Sequence, residues 1–464
     1  MKIQHIKLLW NRVGSSFWFV PGIMGMGAII LSIFTLSIDR LLLQSIEMRA
    51  WLLYTGGPDG ARTLLSTIAG SMITVAGVIF SITIVVLSLA SSQFGPRLIR
   101  NFIDQRINQM VLGTFIATFI FCIIVLQNIR ESGAAYFVPH VSVTTGIMLS
   151  MASLGVLIYF IHNISNSIQA NNIIARICRE LDDSIERLFP EEYGHEQSLN
   201  DRSLEDLTKE RGYVSEKYYR EIESIASEKS GYLLAYDMEK LLKIAVKKDI
   251  VIRVDHRPGD FIISKNPLLW VWPDKRLDEK LGKKLINSFV LGSERTSEQD
   301  IEYPVHLLVE IAVRALSSGV NDPFTAISCI DWLGEVLSKL AGKKLPGPFY
   351  FDQDGKIRVI TKPITFSGVV DAAFNQIRQN AATVPAVSIR LLEAIAAIAH
   401  QVRQDEHHKV LVQHAGMILR SCKENVTGEE DLEDIQMRYK RVIETLSKRK
   451  ASHGESILGI LSET

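Results

Sequence analysis

Apolar positions are unevenly distributed along this chain. Nearly all long hydrophobic runs fall before residue 165, and beyond it apolar and charged residues alternate as in a soluble domain. A bilayer core of about 30 Å needs roughly 20 apolar residues in a helix, because lipid offers no partner to an exposed backbone group. Four stretches satisfy this, at 17–38, 63–90, 107–129 and 138–164. The first follows a basic segment, but it is too long for the apolar core of a signal peptide and lacks a small-residue cleavage site, so it reads as a retained anchor. The pattern predicts an α-helical membrane domain of four transmembrane helices, followed by a cytoplasmic α+β region that is mostly helical in its second half and contains a small β module.

The second stretch carries more than hydrophobicity. At about 1.5 Å per residue, positions 63–90 give a helix of roughly 42 Å, longer than the bilayer core. Along it Thr63, Thr67, Gly70, Thr74, Gly77, Ser81, Ile84 and Ser88 recur at alternating steps of four and three, which draws one small and polar stripe down a single face. Two readings follow. Small residues allow close packing of helices, with hydroxyls bonded back to their own backbone. The same stripe could line a pore on the axis of a homo-oligomer, where hydroxyls solvate a passing ion. No span carries Asp, Glu, Lys or Arg away from its ends, and no inverted repeat or Gly/Pro-broken helix is visible, which disfavours a coupled transporter.

Charge then sets orientation. Lys2, Lys7, Arg12, Arg97, Arg100, Arg106, Arg176 and Arg179 fall on one side of the spans, and Arg40, Arg49, Arg62 and Arg130 on the other. The richer side is cytoplasmic, so both termini are expected there, in a bacterial inner membrane. The formal net charge of +0 argues against nucleic acid as a partner. Cys122, Cys178, Cys329 and Cys422 form no Cys-x-x-Cys pair and are expected to be free thiols.

The second span ends in Phe80-Ser81-Ile82-Thr83 and Leu87-Ser88-Leu89-Ala90-Ser91-Ser92-Gln93-Phe94-Gly95-Pro96-Arg97. Later come Gly292-Ser293-Glu294-Arg295-Thr296, Gln299-Asp300, and Arg314-Ala315-Leu316-Ser317-Ser318-Gly319-Val320-Asn321-Asp322-Pro323-Phe324-Thr325-Ala326. Together these motifs resemble an uncharacterised family of predicted bacterial integral membrane proteins, known only as a domain of unknown function, over roughly residues 10–425. Ser318 departs from the family pattern, in which a proline is expected. The resemblance implies four amino-terminal spans and a cytoplasmic domain, and it supplies no activity.

Gly95-Pro96 should force the chain out of the second helix. Gln93, Arg97 and Arg100 then lie at headgroup level, either as a stop-and-anchor device for anionic membrane lipids or as a cytoplasmic mouth that concentrates anions. A helical extension with Ile173, Ile174, Ile177, Leu181 and Ile185 on one side opens the region 166–230, which ends in a polar linker. The β module is expected at 231–275. There 231–237 reads as a strand, a Lys-rich helix runs to Lys248, and 250–255 and 261–263 read as two strands around a Pro-Gly turn. Its hairpin is similar to that of barrel-sandwich domains, but Lys265 is not at a hairpin tip and no lipoyl or biotinyl attachment is expected.

Residues 276–425 read as a helical domain. Asp322 and Pro323 carry the signature of an N-cap and first helical residue. Alternatively, Arg295, Arg314, Asn321 and Asp322 would form an anion or ligand pocket, or Glu294, Arg295 and Asp300 a buried ion network. His400, His407 and His414, beside His408, lack metal-ligand spacing, and no metal or cofactor is expected. The charged C-terminal helix and tail at 426–464 place Leu432, Ile435, Tyr439, Val442 and Leu446 near heptad spacing, as a coiled coil or as a packed surface helix. No motif of phosphate binding, acyl transfer or metal hydrolysis is present, which disfavours an enzyme. The leading expectation is a homo-oligomeric inner-membrane channel-like protein with a cytoplasmic assembly or gating domain. The second is a membrane-anchored scaffold or sensor binding a partner or small ligand.

Overall fold

A computed structural model describes residues 18–42, 54, 56–95, 106–132, 135–167, 169–190 and 221–452. The chain divides into two compact units, Met1–Asn172 and Ile173–Thr464.

In the first unit four helices are long and apolar enough to cross a membrane: α1 (Phe19–Leu42), α2 (Pro58–Phe94), α3 (Arg106–Asn128) and α4 (His140–Ser167). A short hairpin, β1 (Arg130–Ser132) and β2 (Ala135–Phe137), joins the last two. α3 packs against the other three and supplies Val111, Leu112, Phe115, Phe121, Cys122 and Val125 to the buried core. The apolar rows exposed on α1 and α4 are large side chains, among them Ile30, Ile33, Met151 and Ile158, as a lipid-facing surface requires. Polar links also hold helices together. The Thr118 and Ser153 hydroxyls of α3 and α4 lie 3.1 Å apart. Asp39, buried near the end of α1, accepts from the Val141 and Ser142 amides (2.8 and 2.9 Å) and the Ser142 hydroxyl, and so caps the first turn of α4.

Of these helices α2 departs most from expectation. Its 37 residues give a rod of about 55 Å, because the helix begins at Pro58, a favourable first helical residue, rather than at Thr63. It ends where foreseen, at Phe94, with Gly95 at φ 107 donating to Ser91 O.

Helix α5 (Ala170–Leu188) begins just before the boundary between the units and leads into the second, with Ile173, Ile174, Ile177, Leu181 and Ile185 buried. It is a separate helix, since α4 stops at Ser167. The polar linker anticipated after Pro190 lies largely outside the described residues. A mixed five-stranded sheet follows, in the order β3 (Glu223–Ala226), β7 (Pro267–Trp272), β5 (Val251–Val254), β10 (Ile357–Thr361), β9 (Phe349–Phe351). Only β5 and β10 run parallel. A three-stranded sheet has the order β6 (Phe261–Ile262), β4 (Gly231–Tyr236), β8 (Phe289–Gly292).

This arrangement differs from a self-contained β module at 231–275. The strands flanking the Pro-Gly turn do not pair with each other: β6 joins β4, and β5 lies between β7 and a strand from far along the chain. The near-continuous apolar run Ile250-Val-Ile-Arg-Val254 is the mark of a central strand covered on both faces, and such a strand needs partners that local sequence does not supply. Helices α6 (Met238–Lys248) and α7 (Glu279–Ile286) cover the sheet through Leu241, Ala245, Leu281 and Leu285.

The remainder is helical: α8 (Glu302–Ala315), α9 (Pro323–Gly342), α10 (Phe366–Asn380), α11 (Pro385–Ala399), α12 (Asp405–Asn425) and α13 (Glu429–Ser452). Ile435, Val442 and Leu446 of α13 are buried against α11 and α12, so its apolar row is used within the chain and α13 is the packed surface helix rather than an exposed coiled-coil strand.

Candidate functional site

The α2 stripe faces outward. Thr63, Thr67, Gly70, Thr74, Gly77, Ser81, Ile84 and Ser88 are all exposed in the protomer. The face that seats α2 in the bundle is a different one, formed by Ala61, Leu65, Ala69, Ala76 and Ile79. Thr63 and Ala61, Thr67 and Ala69, and Thr74 and Ala76 are each two positions apart, about 200° around a helix, so the two faces are nearly opposed. A Cβ placed at Gly70 or Gly77 would meet no atom within 4 Å. The stripe is thus not a packing face within the protomer; Ala61, Leu65, Ala69, Ala76 and Ile79 fill that role. The Thr67, Thr74 and Ser81 hydroxyls donate to the carbonyls four residues earlier, at 2.7, 2.8 and 3.0 Å. At the N-terminal end of the stripe Thr63 and Thr67 line an open groove with Asp59, Gly60, Leu64 and Ile68. Gln93 is exposed in the last turn of α2, whereas Arg97 and Arg100 lie outside the described residues.

The four residues expected to form an anion or ligand pocket are distributed along α8 and the turn that follows it. Arg295 precedes α8 and reaches His306 within it, while Arg314 lies in its last turn and Asn321 and Asp322 beyond it. Asp322 is the N-cap of α9: its carboxylate accepts from the Thr325 amide (3.1 Å) and hydroxyl (2.6 Å). Asn321 takes φ 51, a left-handed conformation that Asn tolerates. Phe324 beside it is 80% exposed, so the turn stands in the open.

Arg295 instead belongs to a buried ion network. Its guanidinium bonds Asp300 (2.8 and 2.7 Å) and donates to His306 Nδ1 (2.9 Å). Asp300 also accepts the amides of Glu302 and Tyr303, and Arg257 donates to Glu302 Oε2 at 2.8 Å. Burial pushes both carboxyls up from their ordinary range, against the pull of Arg295 on Asp300 and of Arg257 on Glu302. Glu302 Oε1 and Thr296 Oγ1 are buried without a hydrogen-bond partner among the described residues. Gly259, at φ 98, brings its backbone so close that a Cβ would lie 2.4 Å from Asp300 Oδ2. Gln299 makes two hydrogen bonds to the Tyr236 backbone, as a neighbouring strand would. The motif around Arg295, Gln299 and Asp300 therefore joins the small sheet to the helical core.

Arg257, Glu302 and His306 escaped sequence reasoning. A usable signal existed, namely a lone carboxylate in the first turn of an apolar helix and a Pro-Gly turn flanked by Arg257 and Asp260.

Among the described residues no group of three His, Cys, Asp or Glu is placed to hold an ion. His407 stacks on Phe366 at 4.2 Å, and burial, with His408 nearby, pushes its pKa down to about 4. His414 bonds Asp371 at 3.0 Å, and burial lowers its pKa against that carboxylate's pull. All four cysteines are free and buried.

An uncharacterized protein of Mycobacterium bovis is 29% identical over 445 residues, 92% of this chain and 80% of the relative. One of Mycobacterium tuberculosis matches to the same extent. No solved structure matches the chain. The family described as "Predicted membrane protein (DUF2254)" matches residues 14–397, and the chain belongs to that family.

Proposed function

We propose that this membrane protein is a homo-oligomeric, channel-like protein of the inner membrane. In this reading α2 of each copy lines the axis, and the cytoplasmic soluble unit assembles or gates the conduit. The observation that carries the reading is the outward stripe on α2. Thr, Gly and Ser gain little from contact with lipid tails, and two exposed glycines leave a furrow that large apolar neighbours do not fill. A second copy, or water, satisfies such a face better than lipid. Because the Thr67, Thr74 and Ser81 protons are held by their own helix, outward lone pairs remain, and these favour a cation over an anion.

Cysteine substitution tests this. In a Cys122→Ser background, Thr67→Cys, Thr74→Cys and Ser81→Cys should react with a membrane-impermeant thiol reagent, because a thiol must be solvated to ionise. Ile30→Cys and Ile158→Cys, on the lipid-facing rows, should not. Liposomes holding the protein should pass potassium faster than empty ones, and Gly77→Leu should reduce that flux without unfolding the protomer, since nothing there packs on Gly77. Inert stripe cysteines together with flux no greater than that of empty liposomes would sink the channel and leave the membrane-anchored scaffold or sensor.

A further inference from the structure

We propose that helices α6 and α7 of the soluble unit form a docking face for an anionic lipid surface. Both helices cover the same side of the five-stranded sheet, with Leu241, Ala245, Leu281 and Leu285 buried in one cluster with Ile252, Leu269 and Val271. They run antiparallel as neighbours. The Lys240 ammonium at the start of α6 donates to Asn287 O just past α7 (2.9 Å), and Arg276, just before α7, reaches the Asp249 carboxylate at the end of α6.

The outward side of this pair is basic, and its carboxylates are already engaged. Asp237 and Asp278 cap their helices, and Asp274 accepts the Lys275 amide. Glu239 pairs with Lys243, Glu279 with Lys283, and Asp249 with Arg276 and Arg358. Lys247, Lys248, Lys275, Lys280 and Lys284 are exposed, and no ion pair within the described residues neutralises them. Val246, 44% exposed, lies beside Lys247 as an apolar contact at headgroup depth. Several ammonium point charges on a two-helix face suit a diffuse negative surface better than a single carboxylate or phosphate, for which the guanidinium fork is the fitted donor. The occupant follows from the chain itself. The soluble unit is covalently joined to membrane-spanning helices, so headgroups are presented to it at high effective concentration. The inference is independent of whether α2 lines a conduit.

The test uses the full chain in nanodiscs of phosphatidylcholine, with or without phosphatidylglycerol, and reads amine acetylation residue by residue by mass spectrometry. In anionic discs at low salt Lys247, Lys248, Lys280 and Lys284 should acetylate several-fold more slowly, with rates recovering at high salt as the attraction is screened. Exposed Lys409 and Lys423 of α12 should react alike in both discs. Equal rates at the four lysines, or equal slowing at Lys409 and Lys423, overturns the proposal. The double variant Lys247→Glu, Lys284→Glu should abolish the lipid-dependent protection of Lys248 and Lys280, and protection that persists overturns it as well.

Discussion

His407 shows how one side chain ties packing to pH. It is buried against Phe366, and Nδ1 has no hydrogen-bond partner among the described residues; burial holds its pKa down to about 4 from an ordinary 6.5. Between those values the unfolded chain binds a proton that the folded protein does not. The folded state is therefore fully favoured above about pH 6.5 and loses stability as pH falls toward 4, by roughly 3 kcal/mol if the whole shift is felt. His414, also lowered, acts in the same direction. Asp300 and Glu302, whose pKa values are raised, act in the opposite one and favour the folded state as pH falls. The difference between wild type and His407→Phe isolates the one imidazole. Thermal unfolding in detergent should show the variant losing less stability than wild type between pH 7 and pH 5, and parallel losses would refute this account.

Among the elements, the turn between α8 and α9 was the most legible. Asp322 and Pro323 were readable as cap and first residue because capping is local: an acceptor, a fixed φ and the amides of one turn suffice. Asp322→Ala removes acceptance of both the Thr325 amide and hydroxyl and should cost about 1 kcal/mol in thermal stability. An unchanged melting temperature would show that the cap is dispensable and that Asp322 is retained for another reason. Arg295, by contrast, comes before α8 in the chain and bonds Asp300 and His306. The segments 250–255 and 261–263 have the composition of strands, but pairing depends on which distant segment arrives beside them, and β10 reaches β5 from more than a hundred residues away.

At the scale of the whole molecule, the division into an apolar helical unit and a second unit of mixed helices and strands is the framework on which orientation rests. If the Lys and Arg bias governs insertion, reporter fusions after Lys7, after Arg100 and after Leu188 should all read cytoplasm, and one near Gly133 the opposite side. An external signal after Leu188 would reverse the expected placement of the second unit and remove the cytoplasmic gate from the proposed function.

What the chain determines by itself is whatever one segment and its solvent can decide. That includes four spans, because lipid forces each apolar run of that length to satisfy its own backbone, and the caps of α6, α7 and α9, where the side chain and the amide it meets are three residues apart. It also includes the existence of the α2 stripe, a matter of helical period. What the stripe faces was decided in three dimensions, since small residues serve a helix interface and an open surface equally well until the neighbours are in place. The neighbours chose Ala61, Leu65, Ala69, Ala76 and Ile79 and left Thr67, Thr74 and Ser81 outside. The Arg257–Glu302 and Arg295–Asp300 pairs were decided in the same way. One of them joins residues 45 apart in the chain, and their raised carboxyl pKa values come from burial that only the assembled core provides.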